Sequence, residues 1–272
     1  MKTILQTEGL NKTYQLGSFP RTITVQALNN VNLSVASDEP VIISLVGESG
    51  SGKTTLAKVI LRLIQPTSGA VTVAGHAVAG KGNRPQHNEF LRTVQPIFQN
   101  PFEAFSRYRT VDSYLHETAS RVAGLSKGAA VDAVDEALNA VGLEYKDVRG
   151  KYPNQFSGGE LQRASLARAL IPHPSLIVAD EPVSMIDASR RMIIINLFLA
   201  LKQEYKTSFL YITHDLATAY YISDYIAVMN KGSIVEFGDA KQVLSTPQHD
   251  YTKLLLDSIP RLDYKWVDQR AA

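Results

Sequence analysis

The chain has 272 residues, of which 44% are hydrophobic and 20% charged, and this composition excludes disorder as its main state. Its formal net charge of +2 is too small to predict a surface that coats nucleic acid. The lack of cysteine excludes disulfides, thiolate metal ligands and a cysteine nucleophile, and suits a reducing cytoplasm. No apolar stretch reaches the ~20 residues that span a bilayer, so we expect any membrane role to depend on a partner.

The first part of the chain predicts a small antiparallel sheet followed by a buried strand. Apolar and polar residues alternate in "TITVQAL" and "VNLSV", as they do in strands with one buried face. "PVIISLVG" (residues 40–47) is a continuous apolar run that ends in glycine, which is typical of a buried parallel strand. "TTLAKVILRLI" has helical spacing and stops at "QPTSG", and "AVTVAG" predicts another strand.

The pattern then changes to helices and returns to an alternation of strands and helices. Residues 102–152 contain two amphipathic helix patterns with no strand between them, which predicts an inserted helical lobe. After residue 172, three strand candidates ("SLIVADEP", "SFLYITHD" and "YIAVMNKGSIVEFG") are interleaved with helices. Such alternation predicts an α/β fold with a parallel sheet. From "AKQVLSTP" onward we predict a helix and then irregular structure.

A phosphate-binding loop follows the first buried strand. "GESGSGKTT" fits the G-x-x-x-x-G-K-[ST] pattern and lies between a predicted strand and a predicted helix, as this motif requires. The glycines let backbone N–H groups surround a phosphate, Lys53 supplies a charge for the β- and γ-phosphates, and Thr54 can offer its hydroxyl to Mg²⁺. The candidate ATP-binding residues of the loop are Gly47, Glu48, Ser49, Gly50, Ser51, Gly52, Lys53, Thr54 and Thr55.

An acidic pair ends the predicted strand "SLIVADEP", at the edge of the sheet where ligands bind. Adjacent positions on an extended strand point to opposite sides, so the two carboxylates can have different roles. Asp180 would hold Mg²⁺, and Glu181 would act as general base on the attacking water, an effect commonly worth ~10²–10⁴-fold. Taken alone, the pair would more often be a solvated end of a strand; together with the phosphate loop, it favours catalysis.

Two further polar residues follow apolar strand-like runs. In "YITHD", His214 stands at the end of another predicted strand, where it would lie beside the γ-phosphate and hold it or the water. Gln99 in "IFQNP" could reach the metal or the water. On its own, each residue is an ordinary polar group at the end of a strand.

A second anion-binding pattern stands in "NQFSGGELQRASLARAL". Ser157 is a good helix N-cap, and Glu160 completes the spacing of a capping box. Gly158 and Gly159 leave backbone N–H groups open at the helix N-terminus, where an anion can bind. One small chain thus carries two candidate phosphate sites.

In their order along the chain, these motifs resemble those of the ATP-binding subunit of ABC transporters, and the resemblance covers nearly the whole sequence. The resemblance implies a P-loop core with a mixed sheet, an antiparallel β subdomain and an inserted helical subdomain. It also implies roles for Tyr14, which would stack on adenine, and for Asp187 of "SMID", which would lie in the D-loop between subunits. For Tyr14, an ordinary half-buried tyrosine is the alternative.

The resemblance also implies an assembly in which two cassettes pair head to tail. Ser157, Gly158, Gly159 and Glu160 of one chain would then contact the ATP held by the other chain's phosphate loop. Glu160 stands where the family commonly has glutamine, and "SMID" replaces "SALD". The implied domain organisation has a core with its β subdomain over residues 1–100 and 172–245, a helical subdomain over about 101–171, and a tail over 246–272.

The tail "HDYTKLLLDSIPRL" is similar to that of the oligopeptide/dipeptide importer branch, and its length is similar to that of the ATPase subunit encoded second. This implies two membrane permease subunits, a different second cassette, a solute-binding protein, a place on the cytoplasmic face of the membrane, and no nucleic acid. "FEAFSRY" would receive a helix of the membrane subunit, or else form the core of the lobe. The cargo stays open between peptides, oligosaccharides and nickel, and a soluble ABC ATPase that acts on ribosomes or DNA is the alternative function.

Overall fold

The structure, a computed structural model, describes residues 1–17, 23–80 and 86–258. One of its two sheets is antiparallel and has the strand order β2-β1-β4-β5. Its strands are β1 (Lys2–Leu16), β2 (Ile23–Ser37), β4 (Ser68–Val73) and β5 (His76–Ala79). The antiparallel strands predicted near the N-terminus are confirmed.

The second sheet has six strands in the order β10-β9-β3-β8-β7-β6. They are β3 (Ile42–Val46), β6 (Val94–Ile97), β7 (Leu176–Asp180), β8 (Ser208–Thr213), β9 (Tyr225–Asn230) and β10 (Ser233–Asp239). All neighbours pair in parallel except β9 and β10, which are antiparallel. Every residue of β3 and β8 is buried, which explains why these strands are continuous apolar runs. Because the strands are parallel, the carboxyl ends of β3, β8, β7 and β6 lie along one edge.

Helices cover the sheets and fill the segment between β6 and β7. The α-helices are α1 (Lys53–Ile60), α2 (His87–Thr93), α3 (Val111–Glu117), α4 (Lys127–Ala140), α5 (Tyr145–Val148), α6 (Gly158–Leu170), α7 (Ala188–Glu204), α8 (Leu216–Ile222), α9 (Ala240–Ser245) and α10 (Asp250–Asp257). Short 3₁₀ helices span Pro101–Ala104 and Pro153–Gln155, and a π-helical turn over Thr118–Val122 continues α3. The predicted α/β fold with an antiparallel sheet and an inserted helical segment is confirmed.

The inserted helices share a core with one face of the main sheet. Leu115, Val134 and Leu161 from the insert belong to the same buried cluster as Ile177 and Phe209 of the sheet. On the other face, the antiparallel sheet and α1 enclose a second core. The edge that carries the carboxyl ends of the parallel strands is therefore positioned by a packed core on each face of the main sheet.

The tail after β10 differs from its prediction. Instead of a helix followed by irregular structure, a second helix, α10, follows α9. His249 caps α10 through Nδ1, which accepts a hydrogen bond from the backbone N–H of Tyr251 at 3.1 Å. Leu255 and Leu256 pack against the cluster that contains Val46. This long-range packing stabilises a helix too short to form on local propensity alone. The segment "IPRL" of the importer-like tail lies outside the described residues.

Candidate active site

The phosphate loop connects β3 to α1, and glycine is required at both of its ends. Gly47 has φ +148° and Gly52 has φ +110°, both in the region that favours glycine. A Cβ on Gly47 would lie 2.1 Å from the carbonyl oxygen of Met229, and one on Gly52 would lie 2.5 Å from that of Ala27. The loop is thus held close to β9 and β2 by contacts that no other residue type permits.

Lys53 lies inside the turn of this loop and is almost fully buried. Its Nζ donates hydrogen bonds to the carbonyl oxygens of Gly47 at 2.7 Å and Glu48 at 2.8 Å. Burial lowers the pKa of Lys53, while the negative charges of Glu181, Asp180 and Glu48 oppose that shift. A desolvated ammonium group beside backbone N–H groups is suited to bind a phosphate.

Asp180 ends β7, and the hydroxyl of Thr54 lies near its carboxyl. Burial raises the pKa of this carboxyl above its usual range, and the nearby Glu181 charge adds to the effect, while Thr54 and Lys53 oppose it. The described part of the chain has no group of three or more His, Asp or Glu side chains that could hold a metal. Mg²⁺ commonly binds one or two carboxylates together with substrate phosphates, so the hard oxygens of Asp180 and Thr54 fit it.

Three predicted catalytic residues form one hydrogen-bonded cluster at the same edge. Nε2 of Gln99 donates to Oε2 of Glu181 at 3.0 Å, and Nδ1 of His214 lies 3.1 Å from Oε1. An ionised carboxylate only accepts, so His214 donates from Nδ1 in this arrangement. Gln99 follows β6, Glu181 follows β7 and His214 follows β8, and these three parallel strands are neighbours in the sheet. The sheet order brings together side chains that are far apart in the sequence.

Glu181 reaches this cluster by a backbone conformation that differs from its prediction. The strand ends at Asp180, and Glu181 has φ +45°, so it is not the next position of an extended strand. Its N–H bonds the carbonyl oxygen of Ile212 at 2.9 Å, and its own carbonyl accepts from Oγ of Ser184 at 2.9 Å. Left-handed backbone at a non-glycine residue is uncommon and concentrates at functional sites. No sequence pattern indicated the hydrogen bond that Ser184 donates to Glu181.

The predicted capping box at the start of α6 is confirmed. The carboxylate of Glu160 accepts from the backbone N–H of Ser157 at 2.8 Å and from its Oγ at 2.6 Å. These hydrogen bonds hold the pKa of Glu160 below its usual range. An added Cβ on Gly159 would meet nothing within 4 Å, so the neighbouring backbone is open. The charge of Glu160 is therefore directed at Ser157.

Tyr14 and Asp187 make local contacts. Tyr14 on β1 pairs with Val25, and Nζ of Lys12 lies 5.0 Å from the centre of its ring. Asp187 is the N-cap residue of α7, and its backbone carbonyl accepts from the N–H groups of Arg190 and Arg191. The roles of Tyr14 in stacking on adenine and of Asp187 in the contact between subunits stay predictions.

A glycine-rich loop between a strand and a helix, with polar side chains at the ends of the neighbouring strands, defines a P-loop nucleotide-binding protein. The family profile described as "ABC transporter" matches residues 28–184, and "Oligopeptide/dipeptide transporter, C-terminal region" matches residues 235–271. The chain belongs to the ABC transporter ATP-binding family.

Similar proteins agree with this assignment. The Oligopeptide transport ATP-binding protein OppF of Lactococcus lactis is 39% identical over 266 residues, which cover 97% of this chain and 82% of that protein. The Di/tripeptide transport ATP-binding protein DppF of Pseudomonas aeruginosa is 34% identical, with 96% of this chain and 80% of that protein covered.

Solved structures show the same fold. A dimeric ATP-binding cassette bound to ADP and Pi superposes with a TM-score of 0.71 at 26% identity, covering 87% of this chain and 99% of that one. The cassette cbiO1 of Clostridium perfringens superposes with a TM-score of 0.75 at 21% identity, covering 90% of this chain and 92% of that one. In the described part of the chain, no helix is both long and apolar enough to cross a membrane.

Proposed function

We propose that this chain binds and hydrolyses ATP to power an importer of dipeptides or oligopeptides. The observation that carries the proposal is the cluster of Gln99, Glu181 and His214 at the edge that also carries the phosphate loop. The names of the relatives and the match to the C-terminal region support peptides as the cargo. Oligosaccharides, nickel and an action on ribosomes or DNA have no support from these relatives.

In the proposed reaction, the phosphate loop and Lys53 bind the β- and γ-phosphates. Asp180, Thr54 and Gln99 would hold Mg²⁺, which neutralises phosphate charge when bound. Glu181 accepts a proton from the attacking water as general base, and His214 orients the γ-phosphate or the water. The adenine stacks on Tyr14, and Lys12 already lies over the ring of that residue.

The complete site is proposed to require a second cassette. Ser157, Gly158 and Gly159 lie at an N-capped helix terminus, which suits a terminal phosphate held by the partner. Glu160 shapes that terminus through its bonds to Ser157, and Asp187 lies in the proposed contact between cassettes. The dimeric cassette with ADP and Pi supports pairing. We propose that the partner is a different chain, as in the importer branch that the tail resembles.

The helical segment after Gln99 is proposed to meet the membrane subunits. Of the aromatics in "FEAFSRY", Phe105 is 3% exposed, whereas Phe102 is 46% and Tyr108 is 74% exposed. Phe105 therefore belongs to the core of the lobe, and the two exposed rings are the candidates for contact with a permease. We propose a peripheral position on the cytoplasmic face of the membrane, two permease subunits, an associated solute-binding protein and no nucleic-acid partner.

Replacing the proposed general base tests the catalytic assignment. Glu181→Gln keeps the size of the side chain but removes the group that accepts the proton of the water. We expect ATP turnover to fall by ~10²-fold or more while ATP binding is retained. Because hydrolysis is what lets the cassettes part, the variant is expected to accumulate as an ATP-bound pair. Phosphate release measures the first effect, and size-exclusion chromatography with ATP measures the second.

Glu136→Gln is the matched control because Glu136 is exposed on α4, in the inserted helices. It is expected to hydrolyse ATP at the normal rate and to show no accumulated pair. Near-normal turnover in Glu181→Gln would show that another group activates the water. A wild-type chain, assembled with its partners, that neither binds nor hydrolyses ATP would overturn the proposed function itself.

A further inference from the structure

The C-terminal segment contacts the phosphate loop directly. The hydroxyl of Tyr251 in α10 accepts a hydrogen bond from the backbone N–H of Glu48, the second residue of the loop, at 3.1 Å. The two residues are 203 positions apart in the chain. The contact therefore depends on how the tail packs in the folded protein.

The packing of the tail holds Tyr251 in place. The carboxylate of Glu236 on β10 accepts from the backbone N–H groups of Gln248 at 2.8 Å and His249 at 3.1 Å. The ring of His249 then caps α10 by accepting from the N–H of Tyr251. Tyr251 also packs against the buried cluster that includes Val46, the last residue of β3. The tail is thus fixed to the strand from which the phosphate loop starts.

Tyr251 and Lys53 act on the same peptide group. Glu48 contributes the N–H that Tyr251 binds, and Gly47 contributes the carbonyl oxygen of that peptide, which accepts from Nζ of Lys53 at 2.7 Å. A trans peptide group is planar, and its N–H and C=O point in opposite directions. The group is therefore held from both sides, and a rotation about its axis breaks both hydrogen bonds.

The hydrogen bond to Tyr251 becomes important for the loop when a phosphate binds. If the ammonium group of Lys53 turns toward the phosphate, it gives up its hydrogen bonds to the loop carbonyls, including that of Gly47. The hydrogen bond from the N–H of Glu48 to the hydroxyl of Tyr251 remains and keeps the peptide in its orientation. No side chain at position 47 could hold the peptide instead, because a Cβ there would lie 2.1 Å from the carbonyl oxygen of Met229.

We propose that Tyr251 is a positioning residue of the phosphate site, which fixes the Gly47–Glu48 peptide and couples the C-terminal segment to nucleotide binding. The inference rests on the proposed function, because it takes the loop to bind a nucleotide. By linkage, a nucleotide that favours the loop conformation also strengthens the docking of α10. Tyr251 does not touch the reacting atoms and acts through the loop.

Tyr251→Phe tests the proposal because it removes the hydroxyl and keeps the packing of the ring. We expect the full-length variant to bind ADP three- to tenfold more weakly in calorimetry. In the assembled ATPase, we expect the KM for ATP to rise by a similar factor and kcat to change less than twofold. Amide hydrogen exchange is expected to become faster in a peptide that contains Glu48, while core strands keep their protection.

Tyr221→Phe is the matched control, since it removes a hydroxyl that bonds Oδ1 of Asn196 at 2.9 Å, in a contact between α8 and α7. It is expected to leave ADP affinity and the exchange of the Glu48 peptide unchanged. Glu236→Gln is a second variant, which weakens the tail anchor and is expected to change affinity and exchange in the same direction as Tyr251→Phe.

The outcomes separate this inference from the proposed function. If the wild-type protein binds ADP and Tyr251→Phe matches it in affinity and in Glu48 exchange, the positioning role is wrong and the proposed function stands. If Tyr251→Phe fails to fold, the wild-type protein still tests the coupling between the nucleotide and α10. Adding ADP must then slow hydrogen exchange in the peptide 249–257, and unchanged exchange there overturns the coupling.

Discussion

Asp180 and Glu181 are neighbours in the chain with different surroundings. Glu181 leaves the strand through a left-handed turn and accepts hydrogen bonds from Gln99 and His214. Asp180 stays on the strand, where burial raises the pKa of its carboxyl. A raised pKa means that the folded protein binds the proton of this carboxyl more tightly than the unfolded chain does. Ionised Asp180 therefore costs folding stability in the metal-free protein, and the charge of Lys53 offsets only part of that cost.

Asp180→Asn is expected to stabilise the metal-free protein at neutral pH. The cost of the ionised carboxyl sets in as the pH rises through the pKa of an unfolded aspartate, and it is complete above the raised pKa of the folded state. The advantage of the variant in thermal unfolding midpoint should thus be small in acid and larger at neutral pH. The same variant is expected to lose Mg²⁺-dependent ATP turnover. Thermal melts across pH and phosphate release measure the two effects.

Asp38→Asn controls for the loss of an acidic side chain, because the Asp38 side chain is 71% exposed. It is expected to give no pH-dependent gain in stability. A melting curve of Asp180→Asn that stays at or below that of the wild type throughout this pH range would show that the carboxyl does not destabilise the fold.

A partly buried ion pair joins α7 to the main sheet. Nζ of Lys202 contacts both carboxylate oxygens of Asp224, at 3.1 and 3.0 Å. Oδ2 of Asp224 also accepts from the backbone N–H of Ile42, the first residue of β3, at 2.7 Å. The Lys202 side chain is 11% exposed and that of Asp224 is 37% exposed. The pair thus fixes the beginning of the strand that carries the phosphate loop.

Lys202→Met is expected to destabilise the protein by about 1–3 kcal/mol. Methionine keeps most of the apolar stem but leaves the Asp224 carboxylate without its cation, and breaking a fully buried pair costs about 3–5 kcal/mol. The exposure of Asp224 lowers the cost because water solvates the remaining charge. The measurement is the free energy of unfolding from urea denaturation.

The exposed pair of Lys146 and Glu144 provides the control. Its side chains are 74% and 63% exposed, so Lys146→Met is expected to leave the unfolding free energy nearly unchanged. Equal effects of Lys202→Met and Lys146→Met would show that the pair of Lys202 and Asp224 contributes no more to folding stability than a surface pair does.

Part of the catalytic edge could be predicted from the sequence, and part depends on contacts between distant elements. Gln99, Asp180 and His214 each lie at or just after the end of a predicted strand, so their positions at this edge were predictable once the phosphate loop was recognised. The left-handed turn at Glu181 was not, because it depends on a hydrogen bond to Ile212 in another strand. The contact between Tyr251 and Glu48 was not, because α10 forms only where Leu255 and Leu256 meet the cluster around Val46.

The chain has two candidate phosphate sites, the phosphate loop and the N-terminus of α6, and they raise the question of which ATP each one serves. Ser157–Glu160 form a closed capping box whose own hydrogen bonds are satisfied, while the backbone at Gly159 is open. An open helix terminus presents N–H groups to a phosphate that approaches from outside. In the proposed pair, this terminus serves the partner's ATP, and Lys53 serves the chain's own ATP.

Changes confined to one cassette of the pair test this division. Gly159→Ala adds a methyl group that meets nothing within 4 Å in its own chain, and alanine favours a helix over glycine. The variant should fold normally but obstruct the partner's nucleotide. Gly128→Ala, also with nothing within 4 Å of the added Cβ, is the control in α4 and should behave as wild type.

In an ATPase pair with only one altered cassette, Gly159→Ala is expected to remove the partner's site, and Lys53→Ala is expected to remove the chain's own. Each single variant should therefore trap about half as much ADP with vanadate as the unaltered pair does. Both changes in the same cassette should abolish trapping, because each of the two composite sites then lacks one component. If the N-terminus of α6 served the ATP of its own chain, the result would differ. The double variant would trap as much ADP as either single variant, since both changes would then disable the same site and leave the partner's intact.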